Sequence, residues 1–413
     1  MTRPVPLRPE PTPAAVRKTT GRGAPGRVAE VQGQTRRGLG VAAAFMVTAV
    51  VTGIAGVGAD WWLPLHLFVV GALLSAISAT TQMLAVTWSA APAPRPLVAG
   101  AQRWALAVGA VALVIGRETD RTWTFVTGGA TVVVSMLGLA AILVRVRHQA
   151  VTPRFAPAIE AYAAAAVAGA TGMSIGLLLG TGRTGRSYVE LREVHLVLNL
   201  FGLVGLVIAG TLPYFAATQV RSRMSPRATP TAMRVTFAAL FAATPVAAAG
   251  HLAERPGVAA GGLIVYGVGL LAIAAMLPIY ARSRLRWAGP RLVQLTAGVG
   301  WWVAMTVALA VVTIRETDDR AILRALVIGG FAQILVASLA YLGPVLRGGG
   351  HQHLTAGFAI TRSWLSVAAG NTAAIAALAG HDTMLAVALA IWLADVAIHA
   401  ARLLTTTRSN DHV

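Results

Sequence analysis

The stretch VHLVLNLFGLVGLVIAGTLPYF, residues 194–215, contains no Lys, Arg, Asp or Glu and is long enough as a helix to cross the roughly 30 Å hydrocarbon core of a bilayer. Similar runs recur along the 413-residue chain, which is 56% hydrophobic and 12% charged, with a mean hydropathy of +0.68. Read between charged or Pro/Gly breaks, they give twelve spans, at about 38–58, 61–88, 97–116, 122–144, 158–180, 193–219, 232–251, 257–281, 292–314, 322–346, 356–379 and 383–404. Barrel strands need only about ten residues of alternating polarity, whereas these runs are continuous and about twice that length. The sequence therefore predicts an all-α, polytopic transmembrane bundle.

The flanks complete the organisation. Residues 1–36 are rich in Pro, Gly and Arg without hydrophobic periodicity and are expected to form a disordered basic tail, not a signal peptide. Residues 37–405 are the expected twelve-helix domain, and 406–413 a short C-terminal tail. With no cysteine, disulfides, iron-sulfur clusters and thiolate catalysis are excluded. The net charge of +19 does not point to nucleic acid, because the arginines lie in the tail and in short segments between apolar runs. Placing the tail in the cytoplasm puts 25 of the 34 Lys and Arg residues on that side, against nine outside. A plasma-membrane protein with both termini cytoplasmic is expected. Most acids, among them Glu118, Asp120, Glu193, Asp319 and Asp382, then fall outside.

Two internal echoes point to different architectures. The segments at 65–84, 194–215 and 323–345 each run from a polar head through a glycine, Gly71, Gly202 or Gly330, into small and branched residues. They are spans two, six and ten, which suggests three arcs of four helices. The tetrapeptide RETD, at 117–120 and again at 315–318, closes spans three and nine and suggests a six-helix repeat instead.

His66, His195, His251 and His381 all fall in one outer layer. Neutral imidazole is a common ligand for copper and haem iron, and bundle sites are built from inward-facing side chains of different helices at one depth. His66 and His195 are the leading candidate ligands, with His251 and His381 as helix-end alternatives. Asn199 follows His195 by four residues and shares its helix face, which suits a supporting partner. For Gln82, Gln333 and Asn371, inter-helix hydrogen bonds worth about 0.6 kcal/mol each are an adequate explanation. No Walker A loop, nucleophile elbow or HExxH motif is present.

The segments LHLFVVGALLSAI, REVHLVLNLFGLVGLVIAGTLPYF, FAQILVASLAYLGPVLRGGG and RSWLSVAAGNTAAI resemble those of actinobacterial membrane proteins labelled copper oxidase or multicopper oxidase, some of which precede a copper nitrite reductase-like domain. More distantly, the chain is similar to the twelve-helix haem-copper oxidase subunit I and to the NnrS family of haem and copper membrane proteins. The resemblance implies a subunit-I-like bundle in a redox, nitrite or nitric oxide setting. It places His66 where the oxidases have a haem ligand. Span ten, where that family presents a histidine pair, has Arg324 and Gln333 instead, so a complete haem-copper centre is not expected. With the chain ending at Val413, a soluble copper domain is not expected either. Three readings stay open: a haem- or copper-associated redox or sensing module, a transporter, and a non-catalytic anchor or assembly partner of an extracytoplasmic copper enzyme or electron-transfer partner.

Overall fold

In the computed structural model, which describes residues 24–57, 61–278, 282–348 and 350–405, the described chain is helical throughout its regular structure. The principal helices are α1 (Ala24–Ala55), α2 (Trp62–Ser89), α3 (Pro96–Glu118), α4 (Thr122–His148), α5 (Ala156–Gly180), α6 (Tyr188–Gln219), α7 (Pro230–Leu252), α8 (Pro256–Ala275), α9 (Pro290–Arg315), α10 (Arg320–Arg347), α11 (Trp364–Ala379) and α12 (Asp382–Thr405). Among the described residues, eleven of these are long and apolar enough to cross a bilayer, as expected of a multi-pass membrane protein.

Two expectations need correction. The span read at 356–379 is split into a short helix, Gly350–Ile360, and the 16-residue α11. At about 1.5 Å per residue, α11 alone falls short of the hydrocarbon core. The break is fixed locally: the Thr361 hydroxyl donates to the Ala340 carbonyl at 2.7 Å, and Ser363 caps α11 by accepting from the Ser366 amide at 3.0 Å. At the other end, α1 begins at Ala24, so residues 24–36 are helical where a disordered tail was expected. Val31 and Thr35 are buried, and the Thr35 hydroxyl lies 2.8 Å from the Val31 carbonyl and 3.4 Å from the Ala79 carbonyl of α2. Residues 1–23 and 406–413, the remainder of the two expected tails, lie outside the described residues.

Helices α2, α6 and α10 form the centre: 72%, 83% and 67% of their apolar windows are buried, against 17–50% for the other long helices. All three contain a π-helical segment, Leu67–Leu73, Leu198–Gly205 and Leu326–Ala332, and these segments contain Gly71, Gly202 and Gly330. The helical hairpins α3–α4, α7–α8 and α11–α12 share one turn geometry. Arg121, Arg255 and His381 donate their amides to the carbonyls of Gly116, Gly250 and Ala376 at 2.8, 2.8 and 2.9 Å, with Asp120, Glu254 and Gly380 in the left-handed region. The inner helices thus recur every four helices, as the first echo predicts, whereas the left-handed closure is more general: it also ends α1, α6 and α9, where the Val57, Ser222 and Thr317 amides donate to the Thr52, Ala217 and Val312 carbonyls. The RETD echo does not survive: its fourth residue, Asp120, is left-handed in the first copy, but its second residue, Glu316, is left-handed in the other.

Glycines let the hairpin arms touch backbone to backbone. A Cβ at Gly116 would fall on the Phe125 backbone, and one at Gly250 on that of Ala259. Gly116→Ala should therefore lower the thermal stability of the detergent-solubilised protein by about 1–3 kcal/mol. Gly300→Ala, where a Cβ meets nothing within 4 Å, should leave it unchanged or raise it slightly; equal effects in a melting assay would refute backbone contact at Gly116.

Candidate functional site

The change of winding in α2 sets the position of His66. It is the last residue of the α-helical turn Trp62–His66, immediately before the π segment. Its Nδ1 donates to the Trp62 carbonyl at 2.8 Å, and its ring stacks on the Trp62 indole with centroids 4.1 Å apart. In α6, His195 lies just ahead of the corresponding π segment, and its Nδ1 donates to the Gly172 carbonyl of α5 at 2.8 Å. A carbonyl oxygen can only accept, so both neutral imidazoles carry their proton on Nδ1 and keep a lone pair on Nε2. The Asn199 amide donates to the His195 carbonyl at 2.7 Å. Its 3.3 Å approach to His195 Nδ1 sets two donors side by side in that tautomer and is not a hydrogen bond.

The two imidazoles, from different central helices, lie within electrostatic reach of each other. Arg117 is in reach of His66 and Arg192 of His195. Arg192 pairs with the neighbouring Glu193 and, at 3.2 Å, with Asp319 at the head of α10. Arg324 completes the layer, 4.7 Å over the Trp61 ring and 3.8 Å from Asp382. Each central helix therefore brings a polar or basic group to the same level: His66, His195 and Arg324.

The other two histidines have different neighbours. His251 ends α7 and has Asp319 as its charged neighbour. His381 is exposed, and its amide serves the turn between α11 and α12. Among the described residues, no three His, Asp or Glu side chains are grouped to hold a metal ion.

The remaining intramembrane polar residues join helices. Gln82 donates to Gln102 at 2.9 Å, and Gln102 in turn donates to the Ser135 carbonyl at 3.0 Å, linking α2, α3 and α4. Asn371 accepts from Trp301 at 2.9 Å and Gln333 donates to the Gly329 carbonyl at 3.1 Å, so the place in α10 where the oxidase resemblance would put histidines is occupied by a buried amide pair.

Sequence reasoning missed the α5 wall behind His195. A Cβ at Gly176 would overlap the His195 ring, and one at Gly172 the Asn199 amide. The available signal was the run of small residues at helical spacing, Gly169, Gly172 and Gly176.

The comparisons bear on the fold. No protein-family model and no curated protein matches the chain. Among solved structures, it is similar to a haem-copper terminal oxidase determined as a dimer, with a TM-score of 0.68 over 92% of this chain and 84% of that chain, at 12% sequence identity. The fold is similar to that of haem-copper oxidase subunit I. At this identity the likeness concerns the fold alone, and the resemblance to actinobacterial copper oxidase proteins rests on the sequence segments.

The Gly176–His195 contact should be energetically coupled. Gly176→Ala is expected to destabilise the protein, and to do so less in a His195→Ala background, with a coupling energy of about 1–2 kcal/mol from the four melting curves. Additive effects would show that the imidazole is not seated against α5.

Proposed function

We propose that the protein is a membrane redox or sensing module in which His66 and His195 hold a copper ion between the central helices. The observation that carries this reading is the matched state of the two imidazoles: each has its Nδ1 committed to a backbone carbonyl, from different helices, with its Nε2 left as a donor atom. Between the two cofactors suggested by the oxidase-like fold, the residues fit copper better than haem. An apolar cavity beside them is lined by Pro64, Leu65 and Phe68 of α2 and by neither histidine, so it offers a porphyrin no axial ligand from this pair. Arg117 nearby adds positive charge, so a monovalent cuprous ion is less disfavoured here than a divalent one. When bound, copper would supply one-electron redox chemistry. The protein's part is to orient both rings through the Trp62 and Gly172 carbonyls, to support the His195 backbone through Asn199, and to shut the site off behind the α5 glycines.

The test is metal analysis and visible spectroscopy of protein purified in detergent from cells supplied with copper and haem. Stoichiometric copper is expected, lost in His66→Ala and in His195→Ala, with Asn199→Ala weakening cuprous-ion affinity by about tenfold. A Soret band that depends on both histidines would make haem the cofactor, and a colourless, metal-free protein would overturn the ligand role.

A further inference from the structure

The face opposite the histidine layer holds a cation with no counter-charge among the described residues. Arg291, in the first turn of α9, is only 2% exposed, yet its Nη1 and Nη2 have no hydrogen-bond acceptor. Among the described residues, its one polar contact is Nε to the Ala288 carbonyl at 3.4 Å. The ring faces of Phe358 and Tyr341 lie 4.4 and 5.9 Å from its guanidinium carbon. The charged and titratable groups acting on it, from every described element packed around it, are Arg362, Tyr341 and Arg221; no carboxylate is among them. Beside it, Val220, the residue after α6, packs with Ala288 and with Leu292 in the first turn of α9. Gln219, the residue before Val220 and 1% exposed, has neither its amide nitrogen nor its carbonyl oxygen paired.

A buried guanidinium without an anion is costly by several kcal/mol, and a buried amide with no partner adds to that cost. Arg221 and Arg362 raise it further. Their guanidinium carbons stand 3.7 and 5.9 Å from the Trp287 ring, and Arg362 also donates to the Trp287 carbonyl at 2.6 Å. Aromatic faces thus hold the three guanidiniums in place, and the Nη edges of Arg291 remain for a ligand. Two parallel N–H donors on a fixed fork match two oxygens of a tetrahedral oxyanion, and a cluster of three guanidiniums suits a phosphate group.

We propose that Arg291 and Gln219 form a phosphate-binding site at this end of the bundle, where basic pockets between transmembrane helices meet headgroups. The phosphate is carried by an anionic phospholipid or arrives free from solution.

Thermal unfolding of the full-length, delipidated protein in uncharged detergent tests this. The probes are inorganic phosphate, phosphatidylglycerol and, as a zwitterionic control, phosphatidylcholine. Phosphatidylglycerol is expected to raise the melting temperature well beyond phosphatidylcholine, with half-maximal concentration at least tenfold higher in Arg291→Met and in Gln219→Leu. Without anion, Arg291→Met should melt above wild type, because an unpaired charge has been replaced by an apolar chain. A response to inorganic phosphate as well assigns the site to free phosphate groups; a response to phosphatidylglycerol alone assigns it to lipid. Wild type that responds to no anion beyond the control overturns the proposal, as does either variant responding like wild type. If Arg291→Met fails to fold, Gln219→Leu decides alone.

Discussion

Within hydrocarbon every peptide N–H and C=O must be satisfied by the chain itself, and the three central helices meet this constraint while departing from α-helical winding. A π segment shifts the regular i to i+4 ladder and leaves carbonyls to be taken up elsewhere. Polar side chains do this here. The Tyr266 hydroxyl donates at 3.0 Å to the Phe201 carbonyl inside the π segment of α6, and Gln333 donates to the Gly329 carbonyl inside that of α10. Asn199 takes the His195 carbonyl where α6 enters its π segment. The intramembrane amides are therefore tied to backbone geometry first, and to any ligand only through it.

The same segments organise the bundle. Because the three lie in the most buried helices, the distortions are shielded from lipid, and the surrounding hairpins need only ordinary helices closed by left-handed caps and glycine contacts. Charge is handled at the ends. Glu160 of α5, for instance, pairs with Arg147 of α4 at 2.9 Å and Arg234 of α7 at 3.0 Å, so one carboxylate ties three helices at the face opposite the histidines.

Much of this was legible in the sequence. Continuous apolar runs marked the helices because length and hydropathy are local properties, and Gly71, Gly202 and Gly330 marked the central three because close packing there leaves small residues in the pattern. That His66 and His195 lie near the N-terminal ends of their helices followed from the lengths of the apolar runs. That Asn199 shares the His195 face was also readable, from their spacing of four. Other features were not, because they depend on which helix stands beside which. The Gly172 carbonyl that fixes the His195 tautomer belongs to another helix, and Asp319, which pairs with Arg192, stands at the head of another. The break at Thr361–Ser363 was hidden by the apolar residues on either side of it. Arg291 read as one more basic residue of a loop, since burial of its guanidinium depends on Phe358 and Tyr341, far along the chain.

The π segments have a consequence for rotational phase. A π turn takes up one residue more than an α turn, so all that follows is rotated by one residue step, about 100°. A single helical wheel drawn through α2 would scatter its functional positions. Two half-wheels joined at Leu67–Leu73 keep them ordered, with Trp62 and His66 on the upper one and Ser78 and Gln82 on the lower. The angular setting of the histidine layer is thereby separated from that of the amide network beneath it, and one continuous helix serves two sets of neighbours.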